Sequence, residues 1–134
     1  MPDQFDIIVI GTGNVVPCAV LSAQESGAPV LIMERALESQ KGVNSRYTAG
    51  AMRATYDGTN YLRTLMPELS DEEINQADFD TYTRDQFFDD MGLVTQYRSD
   101  PDLTEILIDN SLPTLQWMNS KRCSFPSDVR PSGI

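Results

Sequence analysis

The chain has 134 residues, 40% of them hydrophobic, a size and composition that predict at most one soluble domain. No apolar run approaches the roughly 20 residues that cross a bilayer, so no membrane span is expected. A formal charge of −10 and a pI near 4.2 oppose binding to nucleic-acid backbones and to anionic membranes. The opening Met1-Pro2-Asp3-Gln4 lacks the basic flank of a secretory signal, so a cytoplasmic location is expected. Cys18 and Cys123 form no C-x-x-C pair and support neither a disulfide framework nor a zinc site. Cys18 reads as a small buried residue of the first helix.

The first 35 residues carry the strongest pattern. An apolar, β-branched run reaching Ile10 is stopped by Gly11-Thr12-Gly13 and followed by a helix-like stretch, which predicts a buried parallel strand over 5–10, a tight turn and a helix. A second apolar run, Pro29 to Met33, predicts the next parallel strand. It ends in Glu34, about 20 residues past the glycines, where a dinucleotide-binding βαβ unit places the carboxylate that hydrogen-bonds a ribose. The third glycine of G-x-G-x-x-G is absent. Val16 stands there, and its branched side chain is expected to overpack the helix against the strand at a cost of roughly 1–3 kcal/mol. Pro17 falls in the first helical turn, where its missing N–H is harmless. An α/β unit that binds nothing remains the other reading of these residues.

Gly42 to Ala51 mixes glycines, Asn44, Ser45 and Thr48 with small apolar residues, a composition that lets main chain close on a flat ligand; a solvent-facing connection has the same composition. Beyond Asp57-Gly58 the chain becomes helical. Ser70-Asp71-Glu72-Glu73 matches a capping box, and Phe87, Met91 and Val94 form a stripe expected to be buried. The acids Asp78, Asp80, Asp85, Asp89 and Asp90 read as a solvated face rather than a metal cluster. Asp100-Pro101 predicts a helix start with Leu103, Ile106 and Leu107 turned inward. Ser111 and Pro113 open another helix carrying Leu115, Trp117 and Met118. The stretch from Lys121 to Ile134 is basic, proline-containing and aperiodic, as in a disordered tail.

Taken together, Asp6 to Glu34, Asn44 to Arg53, Tyr82 to Met91 and Asp100 to Met118 resemble the N-terminal part of the FAD-dependent tricarballylate dehydrogenases. These are similar in turn to the succinate dehydrogenase and fumarate reductase flavoproteins. The resemblance covers about residues 5–120 and implies a fold class and domain: α/β, a partial Rossmann-like FAD-binding domain over 1–120 whose βαβ unit leads into a mostly helical segment, with an incomplete sheet and an irregular tail at 121–134. It implies that Gly11, Gly13 and Asn14 cradle the FAD pyrophosphate, that Glu34 holds the adenosine ribose, and that Arg35 lies beside the cofactor. It also implies that Gly42, Asn44 and Ser45, with Thr48, Ala49 and Gly50 continuing, lie against the diphosphate and flavin. Val16 and Val43 stand where the family has glycine.

In that family FAD takes a hydride from a saturated C–C bond of a polycarboxylate. Family chains are several times longer, and the parts that cap the substrate and move its protons have no counterpart here, so a truncated or fragmentary product without catalytic residues of its own is expected. The chain has no histidine for a histidyl-flavin link, so any FAD is noncovalent and weakly held or lost. The polycarboxylate is then a partner of the full-length family alone. Self-association through apolar surface left open by the incomplete sheet is expected. The alternative reading is a noncatalytic nucleotide-binding or interaction fragment.

Overall fold

The computed structural model describes residues 4–48, 50–76 and 80–123. Ala49, Asp78 and the stretch 124–134 lie outside the described residues. The chain divides into two compact units, Met1–Met52 and Arg53–Ile134. Both helix and strand are present, and among the described residues no helix is long and apolar enough to cross a membrane.

In the first unit, strand β1 (Ile7–Ile10) pairs in parallel with β2 (Val30–Met33), in the register Ile7 opposite Val30 through Ile10 opposite Met33. Helix α1 (Val15–Glu25) is the crossover between them. Parallel pairing needs such a crossover, and the β-branched side chains of both strands suit the pleat. Val16, Val20 and Ala23 recur at helical spacing on the inward side of α1, with Val16 buried. Its Cγ2 lies 3.8 Å from where a Cβ on Gly11 would stand, an ordinary contact, so the branched side chain meets the turn without crowding it. Pro17 sits in the first turn of α1 and Cys18 is half-buried on it. The helix ends where Gly27 takes a left-handed φ of 74° and the Ala28 N–H returns to the Ala23 carbonyl at 3.2 Å.

The strands are less buried than their composition predicts. Ile10 is 79% and Ile8 58% exposed, while Val9, Val30 and Leu31 are half-buried. A parallel sheet ordinarily has cover on both faces. Among the described residues of this unit α1 is the one helix packed on a two-stranded sheet, and apolar strand surface stays open.

The second unit is helical: α2 (Thr59–Leu65), α3 (Asp71–Gln76), α4 (Arg84–Thr95), α5 (Pro101–Asp109) and α6 (Ser111–Ser120). Tyr56 and Tyr82 form an isolated antiparallel bridge closing the segment between them, and their mutual N–H to carbonyl bonds measure 3.0 and 2.9 Å. The expected capping box at α3 is present: the Glu73 carboxylate accepts the Ser70 N–H at 2.9 Å and Ser70 Oγ accepts the Glu73 N–H at 3.3 Å. Asp100 caps α5 by accepting the N–H groups of Asp102 and Leu103, and Pro113 falls in the first turn of α6. A second box at α4, Thr83 with Gln86, carries the same S/T-x-x-E/Q signature and was readable from the residues.

Two apolar faces differ from expectation. Phe87 is buried and Met91 half-buried, but Val94 is 81% exposed at the end of the stripe. On α5 the buried residues are Thr104 and Ile108, one turn apart, while Leu103, Ile106 and Leu107 face solvent. Thr104 can enter this seam because its hydroxyl donates to the Asp100 carbonyl at 2.8 Å, so no polar group is stranded. A small cluster of Met66, Leu69 and Ile74 with Leu65 gives α2 and α3 a core of their own.

Candidate functional site

The polar groups of the first unit converge at the carboxyl end of its sheet. Gly11 adopts φ 109°, a conformation L side chains rarely take, and its N–H extends the ladder to the Met33 carbonyl at 2.7 Å. This fixes the turn against the end of β2, one residue before Glu34. The Thr12 hydroxyl donates to Glu34 Oε2 and its oxygen accepts the Gly42 N–H at 2.9 Å. Glu34 Oε1 accepts the Ala36 N–H at 2.7 Å. Two strand ends and a distant loop are tied through one side chain.

The loop is shaped by left-handed backbone at Gly42 (φ 99°) and Val43 (φ 49°), which lead into a 3-10 turn over Val43–Tyr47. The Thr48 hydroxyl closes that turn on the Ser45 carbonyl at 3.0 Å. Ser45 Oγ accepts the Asn14 N–H at 3.0 Å, and a Cβ on Gly13 would lie 3.5 Å from the same oxygen. The N-terminus of α1 has no side-chain cap and no acid in its first turn, so the positive end of its dipole meets no local carboxylate.

Thr12, Asn14, Lys41, Gly42, Ser45 and Arg46 line an open depression of about 450 Å³ beside this turn. Two of these six residues are cationic. Arg46 donates to the Ser39 carbonyl, a neutral partner that leaves its charge in place, and Lys41 lies 3.8 Å from Glu38. The Glu34 carboxyl is held below the usual glutamate range, first by the Ala36 N–H and then by the Thr12 hydroxyl, so it is ionised at neutral pH.

The structure thus brings together Gly11, Gly13, Asn14, Glu34, Gly42 and Ser45 from the residues singled out in the sequence. Thr48 acts within the loop, and Arg35, Asn44 and Gly50 are exposed. Sequence reasoning missed Thr12, Lys41 and Arg46. The motif treats the residue between the glycines as arbitrary, and the cations flank a loop whose curl depends on backbone angles that no motif records.

The second unit offers a groove of about 390 Å³ lined by residues including Tyr56, Tyr61, Tyr82 and Arg84. Two of its polar side chains are engaged with residues outside the lining. Arg84 binds Asp109 at 2.7 Å and also Glu105, while Tyr82 donates to Asp90 at 2.7 Å and accepts from Arg53 at 3.0 Å. Burial, then Asp90, push the Tyr82 hydroxyl up, which keeps it protonated. Among the described residues no group of three or more acidic or thiol side chains is placed to hold a metal ion.

The chain matches no protein-family model. It is 28% identical over 123 residues to the vinyl phenol reductase of Lactiplantibacillus plantarum, a match covering 92% of this chain and 21% of that protein. It is 28% identical over 120 residues to the fumarate reductase (cytochrome) of Shewanella frigidimarina, covering 88% of this chain and 18% of that protein. The similarity therefore lies among reductases and runs through both units. The chain spans about a fifth of the length of these curated relatives.

Proposed function

We propose that the chain is the dinucleotide-binding portion of a flavin-dependent oxidoreductase, with residues 1–120 forming part of a Rossmann-like FAD-binding domain. The observation that carries this reading is the convergence of the bare Gly11–Gly13 turn, an ionised carboxylate at the end of β2, and a cation-lined depression beside the N-terminus of α1. The donor set suits the ADP half of FAD. The cations Lys41 and Arg46 and the uncapped N-terminus of α1 favour a diphosphate, and Glu34 favours ribose hydroxyls. Arg46 would hold the diphosphate, with Gly11, Gly13, Asn14, Gly42 and Ser45 shaping the cradle around it. Glu34 would hold the ribose, and Arg35, Asn44, Thr48, Ala49 and Gly50 would border the remainder of the cofactor.

When bound, FAD supplies two-electron exchange with a carbon–carbon bond. Fumarate and a vinyl phenol, the substrates named by the two relatives, each contain a carbon–carbon double bond, which supports this class. A tricarballylate-type polycarboxylate is the finer assignment for the whole protein. Substrate chemistry needs cations on its carboxylates and a proton-transfer group. These 134 residues contain no histidine, and Arg53, Arg63 and Arg84 of the second unit pair with carboxylates of that unit. The chain by itself is accordingly read as inactive.

The test is calorimetric titration of the full chain with FAD, ADP and riboflavin. FAD and ADP are expected to bind and riboflavin, lacking the diphosphate, is not. Binding of riboflavin alongside FAD, or of neither nucleotide, would overturn the reading.

A further inference from the structure

The hydrogen-bond directions at Thr12 are determined by elementary chemistry. The Gly42 N–H can only donate, so at that contact the Thr12 oxygen accepts, and its single O–H goes to Glu34. An ionised carboxylate has about four acceptor positions. Thr12 and the Ala36 N–H each bond one oxygen of Glu34, and acceptor capacity is left over for ribose hydroxyls.

Threonine is also suited to holding that geometry. Its β-branched side chain restricts χ1, and Gly11, whose N–H is bonded to the Met33 carbonyl at 2.7 Å, anchors the backbone just before it. A glutamate at a strand end has several rotamers available in water. Here two donors from different segments select one of them.

We propose that Thr12 is the positioning residue of the site: it presents the Glu34 carboxylate to a ribose 2′,3′-diol and locks the Gly42–Ser45 loop beside it. The proposal rests on the nucleotide-binding reading above. It assigns to the variable position of the glycine turn a role in selecting ribose-containing ligands over deoxygenated ones, with the 42–45 loop coupled to that selection through the same oxygen. The Ala36 N–H and the Thr12 hydroxyl are also the two largest causes of the depressed Glu34 ionisation.

The experiment measures dissociation constants of ADP and 2′,3′-dideoxy-ADP for the full chain and for Thr12→Val, Thr12→Ala and Thr12→Ser. The wild type is expected to prefer ADP. Thr12→Val and Thr12→Ala are expected to shrink that preference about tenfold, in line with loss of a hydrogen bond to a charged group, and to weaken dideoxy-ADP as well through release of the 42–45 loop. Thr12→Ser, which keeps the hydroxyl, is expected to restore the preference. As a readout that needs no ligand, the Glu34 carboxyl carbon is followed by NMR through acid pH, and its midpoint should rise in Thr12→Val and Thr12→Ala but not in Thr12→Ser.

An undiminished ADP preference in both deletion variants would overturn the positioning role while leaving the nucleotide site standing. Equal wild-type affinity for ADP and dideoxy-ADP would do the same. Failure of the wild type to bind either nucleotide would remove both this role and the reading beneath it.

Discussion

The two units use polar side chains in opposite ways. In Arg53–Ile134 the polar groups are consumed by structure: Arg84 joins α4 to two carboxylates of α5, Arg63 pairs with Asp71, and Arg53, Tyr82 and Asp90 close on one another. In Met1–Met52 they gather at one end of the sheet around a concavity, and the cations there include one bonded to a neutral carbonyl. The apolar groups show the reverse contrast. The helical unit buries Ile108 completely, whereas the sheet unit leaves Ile10 largely in water. The lesson is that one unit's polar chemistry is satisfied internally, and the other's faces outward.

The sharpest way to break this contrast compares one residue type in both units. Ile108→Ala should destabilise the chain by about 2–5 kcal/mol through the cavity it leaves, and Ile10→Ala by less than about 0.5 kcal/mol, read from urea midpoints. A cost above about 2 kcal/mol at Ile10 would mean that the strand face is covered in solution, as self-association would do; a concentration-dependent midpoint would confirm it. The next effect lies in binding. Glu34→Ala should weaken ADP binding roughly tenfold to a hundredfold, while Glu105→Ala, whose carboxylate serves Arg84, should leave it unchanged. Equal losses would erase the distinction between outward and internal polar groups.

Smaller changes test local geometry. Removing the α5 cap with Asp100→Ala should cost about 1 kcal/mol. Val43→Gly should stabilise the first unit by about 0.5–1 kcal/mol, because a β-branched residue at φ 49° is strained by more than glycine's extra freedom in the unfolded chain. The smallest effect is that of pH. Glu34 and Glu73 both have depressed ionisation in the fold, so each contributes stability that is present above the ordinary glutamate value of 4.5 and is lost as pH falls through its folded value. Glu34→Gln and Glu73→Gln should each flatten the acid limb of the stability curve, and high salt should reduce the difference because both groups are near the surface.

The βαβ unit, the place of Glu34, the Ser70 box and the Asp100-Pro101 start were legible because each rests on short-range chemistry: a turn that needs glycine, a cap that needs an oxygen. The faces of α4 and α5 were not. A periodic apolar pattern says that a helix has a side worth burying, but not whether a neighbour arrives to bury it, and at α5 the seam formed instead on Thr104 and Ile108. Thr12 escaped for a related reason. Its importance comes from two partners more than 20 positions away, Glu34 and Gly42, whose meeting depends on the curl of the chain at Gly42 and Val43.

The Tyr56–Tyr82 bridge also bears on how the molecule tolerates change. Two backbone hydrogen bonds and a stack of Tyr56, Tyr82 and Phe87 rings, with neighbouring centroids 6.3 and 5.4 Å apart, clamp the base of the excursion that carries α2 and α3. That excursion has its own cluster of Met66, Leu69 and Ile74 and is pinned to α6 where Asn119 donates to the Thr64 carbonyl at 3.1 Å. Its ends are therefore held whatever its length. Because doubling a closed loop adds only about 0.6 kcal/mol of closure entropy, this is the part of the chain where insertions can accumulate while the clamp below them stays shut.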